Sequence, residues 1–333
     1  MSTASQGSSL VREMPYAPAG DRARIWHPVA LLIGSFVIFF VWAIMPSLVL
    51  AGIDATSGKT DLLGPDALLN KYDLAAFGVS FVLILLHFLF WTRVVERRPL
   101  TSIGMFRGGS FGPYVNGVVC GALFAALVSL MAVVASFHFG FSMPAMFGGT
   151  QSILRPEILL FAAAIVPVLL VQAGTEEIVF RGWMLSAFSA RMSLTGAVLL
   201  SSVAFGVFHV DRFLLDPKFA AIFIASTIVL GVFLAVWAVQ SGSIAGPAGF
   251  HGGYNALLLV SGYLDGAANA KPGASPTQVW ADMMSLEAML ESIQDTEYVA
   301  ALGTAVIVAS LVGIAALIAL GRARPLNSRE NQP

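Results

Sequence analysis

Three short polar clusters interrupt long apolar runs in this sequence, and their residue types are those of proton-transfer chemistry. They are Glu176-Glu177-Ile-Val-Phe-Arg181, Phe205-Gly-Val-Phe-His209 and His251-Gly-Gly-Tyr-Asn255. Ionisable side chains inside apolar segments are costly to bury, which makes them functional candidates by default. On a helix, residues four apart stack on one face, so Glu177 lies beside Arg181 and His251 beside Asn255. An acid four residues before a base is the favourable order for an ion pair, which assigns Glu177 and Arg181 to structure. Glu176, rotated about 100° from Glu177, is left to point elsewhere.

A carboxylate beside a histidine can take a proton from water and return it to a leaving amine. A second histidine with an asparagine one turn away can donate hydrogen bonds to a developing oxyanion. The same Glu176, His209 and His251 could instead hold a divalent metal such as zinc, with an open water position. No serine or cysteine is evidently paired with these groups, which disfavours a covalent intermediate. Both schemes hydrolyse a peptide bond or a similar acyl group.

Such residues act together only if the surrounding elements bring them to one depth. The 333-residue chain is 57% hydrophobic and 11% charged, with a mean hydropathy of +0.82. A soluble domain carries about 25% charged residues, so this chain cannot cover a water-facing surface. A membrane span needs roughly 20 mostly apolar residues. Eight segments qualify: Pro28–Ala51, Leu74–Trp91, Tyr114–Phe137, Ile158–Ala187, Leu194–Phe208, Phe219–Val239, Ile244–Tyr263 and Tyr298–Leu320. The expected fold is therefore all-α, a polytopic transmembrane helical bundle of about eight spans.

Lys and Arg collect on the cytoplasmic side of membrane proteins. Arg12, Arg22 and Arg24 precede the first span, and Arg93, Arg97, Arg98 and Arg107 follow the second. Arg191 follows the fourth, and Arg322, Arg324 and Arg329 follow the last. The intervening loops are acidic, with Asp54, Asp61 and Asp66 against Lys59 and Lys71, and again over Asp265–Asp295. This alternation puts both termini in the cytoplasm. The chain then divides into a disordered cytoplasmic tail (1–25) without the pattern of a cleavable signal, N-terminal spans (26–150), a catalytic transmembrane core (151–265), an extracytoplasmic loop (266–297), and a last span with a basic tail (298–333). Within the loop, Gln278–Asp295 has helical apolar periodicity, fitting either a helix on the membrane surface or a cap packed on the bundle.

A net charge of −1 argues against a nucleic-acid partner. Cys120, in an apolar run, reads as a small core residue, and His87 and His138 are given no role. The fourth span is long enough to require tilt or a kink near Pro167 or Gly174. Glu176 and His209 lie at equal chain path, about 25 Å, on either side of the turn at Ser189–Gly196, so they can meet at one depth. His251 is nearer its own turn. A tilt, or an irregular start at Gly246-Pro-Ala-Gly249, must carry it to that depth. Gly249, Gly252 and Gly253 allow either close helix packing or close approach of a substrate backbone.

The ordered set Glu-Glu-x-x-x-Arg, Phe-x-x-x-His and His-x-x-x-Asn, each in a separate apolar span, resembles the CPBP family of intramembrane proteases (CAAX protease and bacteriocin-processing, or Abi). The resemblance covers roughly Pro156 to Ser261. It implies an endopeptidase in which Glu176 activates water with His209 as partner. His251 and Asn255 would stabilise the oxyanion, and Glu177 with Arg181 would support the site. Asn255 is a poor zinc ligand, which favours the glutamate scheme over the metal one. The implied partners are the lipid bilayer and a peptide or protein substrate, with modification of its C-terminus by lipid left open. Short loops fit a bacterial inner membrane. Two competing readings are a proton-coupled carrier using the buried Glu and His, against which the halves show no visible repeat, and an inactive scaffold.

Overall fold

The structure, a computed structural model, describes residues 28–56, 73–106, 110–140, 153–209, 217–284 and 296–323. The expected N-terminal tail, the charges of the 57–72 loop, Arg107 and the arginines beyond 323 lie outside the described residues, as do Leu286, Leu290 and Ile293 of the amphipathic stretch.

Every regular element among the described residues is helical. The helices are α1 (Pro28–Thr56), α2 (Asp73–Phe90), α3 (Phe111–Phe139), α4 (Pro156–Ser189), α5 (Leu194–Val207), α6 (Pro217–Ser241), α7 (Ala245–Asn269), α8 (Pro276–Met284) and α9 (Thr296–Ala323). A helix therefore occupies each of the eight expected segments, and α8 covers the start of the expected amphipathic stretch. Five stretches are long and apolar enough to cross a membrane: Leu74–Val95, Phe111–Phe139, Pro156–Ser189, Ala220–Ser241 and Glu297–Gly321. Shorter apolar stretches lie in α1 (Leu32–Pro46) and α5. In α7, glycines and the polar cluster dilute the apolar run. Large apolar side chains such as Leu123, Phe137 and Leu160 point outward, as a lipid-facing surface requires. The chain is a multi-pass helical membrane protein.

Helix boundaries follow local chemistry. Pro156 sits at the start of α4, where its missing N–H has no intrahelical role. Ser193 caps α5 by accepting from the Gly196 N–H at 3.2 Å. Gly140 closes α3 in the left-handed conformation, with φ of 71°. Neighbours run α1, α2, α4, α7, α3, α9, α6, α5, and α5 packs back on the last turns of α4.

The long fourth span departs from α geometry at a different place from the one expected. It is α-helical from Pro156 through Pro167 and Gly174 to Glu177, π-helical over Ile178–Met184, and α-helical again over Leu185–Ser189. Such wide turns are frequent at functional sites.

The α3–α7 contact is unusually close. A Cβ on Gly121 would overlap the Phe250 carbonyl, one on Gly249 the Tyr114 carbonyl, and one on Gly253 the Val118 carbonyl. Gly252, on another side of α7, packs on Leu170 and Ala173 of α4. These glycines are thus filled by neighbouring helices, which decides between packing and substrate approach in favour of packing. The matching Gly117-Val-Val-Cys-Gly121 spacing in α3 was visible in the sequence. Cys120, beside it, is exposed rather than in the core, because the face buried by α3 is that of Gly117, Gly121 and Ala125.

Contacts between loops separate the two ends of the bundle. The loop after α2 meets the α6–α7 turn, where the Ile244 N–H donates to the Gly104 carbonyl at 3.2 Å. The segment before α4 meets the segment after α7, where Arg155 donates to the Ala274 carbonyl at 2.9 Å. This pairing is the one that alternating crossings demand. Val279 and Trp280 of α8 are buried with Ile158 and Tyr263, so the described part of the amphipathic stretch is a cap on the bundle.

Candidate active site

The candidate site lies where α4, α5 and α7 meet. Glu177 and Arg181 are wholly buried at 0% exposure, and Arg181 donates to Glu177 Oε1 at 2.8 Å. This is the pair that the spacing implies. The guanidinium also lies over the Phe205 ring, 4.1 Å from its centroid. Glu177 Oε1 takes a second bond, from His251 Nδ1 at 2.9 Å. Glu176 points to the other side of the same imidazole, with Oε2 3.6 Å from His251 Nε2. His251 is thus held between two adjacent carboxylates. Oε2 of Glu176 and Oε2 of Glu177 have no hydrogen-bond partner among the described residues.

His251 reaches this depth by a route other than the two expected. α7 is regular from Ala245 onward, and Pro247 falls in its first turn, where the missing N–H is harmless. The start of the helix is instead sunk into the protein. Ser243, Ile244 and Ala245 are buried, and the Ile244 N–H and Ser243 hydroxyl both bond the Gly104 carbonyl of the overlying loop. Counting residues from a turn places a side chain correctly only when the turn lies at the surface.

His209 follows α5. That helix has 14 residues and rises about 21 Å, less than the roughly 30 Å hydrocarbon core, so it ends at membrane depth. The His209 Nδ1–H donates to the Phe205 carbonyl at 2.9 Å. Its ring meets those of Phe205 and Phe223. Phe205 also stands edge-on to His251, with centroids 5.6 Å apart, so one aromatic ring touches both histidines and Arg181. Asn255 donates from Nδ2 to Gln172 Oε1 at 2.9 Å. Sequence reasoning missed Gln172 because it searched apolar spans for charges and not for amides. The lone glutamine four residues before Glu176 was the available signal.

Outside the site, His87 accepts from Trp42 at 3.4 Å and His138 rests edge-on against Phe139. A second buried cluster, also missed, lies in the loop after α2. Arg97, with φ of 54°, turns outward while Glu96 and Arg98 turn in. Arg98 is therefore no surface charge. Glu96 accepts from Trp91, Trp183 and Arg98, and Arg98 also bonds Ser102 and Ser186. Among the described residues, no group of three or more His, Cys, Asp or Glu is gathered at metal-holding distance. Glu176, His209 and His251 do not form such a group, and both nitrogens of His251 already face carboxylates, so no step is derived through zinc.

Residues 157–257 match one family, described as type II CAAX prenyl endopeptidase Rce1-like. The match runs from the start of α4 to the middle of α7 and contains all three polar clusters, so the resemblance carried by the motifs holds over this segment. No curated protein and no solved structure matches the chain.

Proposed function

From a chain whose residues 157–257 are Rce1-like, we infer an intramembrane endopeptidase of the CAAX-protease type that works by glutamate-activated water. The observation that carries this reading is the buried, facing pair of Glu176 and His251, 3.6 Å apart, with an unbonded carboxylate oxygen on Glu176.

Glu176 takes a proton from water as the hydroxyl oxygen bonds to the scissile carbonyl carbon. His209 is assigned as the partner that holds that water. The carbonyl oxygen becomes an oxyanion, stabilised by N–H donors of Asn255 and of His251. The C–N bond then breaks, and Glu176 returns its proton to the leaving amine. Glu177 accepts from both Arg181 and His251 Nδ1, which fixes the plane of the catalytic imidazole and turns Nε2 toward Glu176 and the reacting carbonyl. The substrate is a peptide or protein segment in the membrane, and a lipid-modified C-terminus is the form that the family's name points to. The host membrane is read as a bacterial inner membrane.

Purified protein in detergent, with quenched fluorescent peptides that include prenylated ones, tests this. Wild type cleaves, while Glu176→Ala and His251→Ala lose about a thousand-fold or more in kcat, with unfolding temperatures near wild type. Cleavage retained in Glu176→Ala defeats the assignment. Activity abolished by chelator and restored by zinc replaces it with a metal mechanism.

A further inference from the structure

We propose that Gln172 is a positioning residue that orients the oxyanion-stabilising amide of Asn255. The inference rests on reading Asn255 as an oxyanion donor. Gln172 lies one turn before Glu176 on α4, and Asn255 one turn after His251 on α7. The two helices run in opposite directions, so a step of four back on one and four forward on the other reaches the same level. The result is a ladder of two rungs. Glu176 faces His251 at 3.6 Å, and Gln172 Oε1 accepts from Asn255 Nδ2 at 2.9 Å.

Gln172 is 7% exposed, in a helix whose membrane part before the glutamates is apolar apart from it and Thr175. Burying an amide there is unfavourable compared with burying leucine unless it is hydrogen-bonded. The bond it makes serves the chemistry. The terminal torsion of asparagine is broad and roughly two-fold, so an unrestrained Asn255 can present either its amine or its carbonyl end. In one orientation it would offer a carbonyl oxygen to a developing negative charge. With its oxygen toward Asn255, Gln172 accepts a hydrogen bond that the amine end of Asn255 can give and its carbonyl end cannot, which holds Nδ2 in place. One amide proton is then consumed, and the planar amide fixes the direction of the second. Gln172 touches no reacting atom in this scheme and acts through Asn255 alone.

The test is a double-mutant cycle of Gln172→Met, which keeps length and removes the acceptor, with Asn255→Ala. On a cleaved peptide, Gln172→Met lowers kcat about ten-fold with KM within about two-fold, and adds no further loss in the Asn255→Ala background. Losses that multiply in the double variant overturn the inference, because Gln172 then acts independently of Asn255. A fully active Gln172→Met beside an impaired Asn255→Ala overturns this inference and leaves the protease reading standing. Wild-type kcat in Asn255→Ala removes the oxyanion reading, and this inference with it. A substrate-free arm uses protein carrying nitrogen-labelled asparagine. The side-chain amide protons of Asn255 are assigned by their loss in Asn255→Ala, and in Gln172→Met the bonded proton moves upfield toward its shift in an unbonded amide. Unchanged resonances also overturn the inference.

Discussion

Among the described residues, two carboxylate–guanidinium pairs are buried, and the protein completes them differently. In the loop after α2, both oxygens of Glu96 are used, Oε1 by the indoles of Trp91 and Trp183 and Oε2 by Arg98. In the candidate site, Arg181 and His251 crowd onto one oxygen of Glu177, while Oε2 of Glu177 and of Glu176 stay without hydrogen bonds among the described residues. A satisfied network locks an arrangement in place, and an incomplete one keeps lone pairs available at the cost of stability. The first cluster fastens a loop over the start of α7. The second holds an imidazole and leaves a base.

The sharpest way to break this contrast is to remove the cation of the incomplete network. Arg181→Met leaves Glu177 buried without its guanidinium, so the protein loses about 3–5 kcal/mol, read as thermal unfolding in detergent. Adding Glu177→Gln to that variant recovers part of the stability but not the cleavage. Glu96→Gln comes next. Arg98 keeps its bonds to Ser102 and Ser186, so the loss is about 2 kcal/mol, and kcat per folded molecule stays within about two-fold of wild type. A kcat that falls with Glu96→Gln at constant stability would show that the loop cluster belongs to the chemistry. Trp183→Phe is the mildest change. Trp91 still donates to the same Glu96 oxygen, so about 1 kcal/mol is lost, measured by chemical unfolding.

Much of this was legible in the residues. The eight apolar segments are helices, the acid-then-base spacing of Glu177 and Arg181 is an ion pair, and ordered motifs in separate spans identified the site helices. What was missed shares a physical cause, namely that contacts across helices leave little local trace. Glu96-Arg97-Arg98 reads as an ordinary basic loop until a left-handed Arg97 turns its neighbours inward. The π-helical stretch at Ile178–Met184 leaves no mark in the sequence, because periodicity cannot register a widened turn when all but Arg181 and Gly182 are large apolar residues. The depth of His251 depends on a turn sunk under another loop, which path length along the chain cannot report. Cys120 looked like core because apolar neighbours in a membrane helix face lipid as readily as protein.

The glycine contacts of α7 bear on how a substrate arrives. With carbonyls of α3 against Gly249 and Gly253, and Leu170 of α4 against Gly252, α7 meets its neighbours with almost no flexible side chain between backbones. Such an interface has little to compress and cannot part gradually without losing many contacts at once. The helix bearing His251 and Asn255 is therefore the rigid wall of the candidate site. On the protease reading proposed above, an aperture that admits a peptide from the bilayer has to open on a side not formed by the α3–α7–α4 clasp.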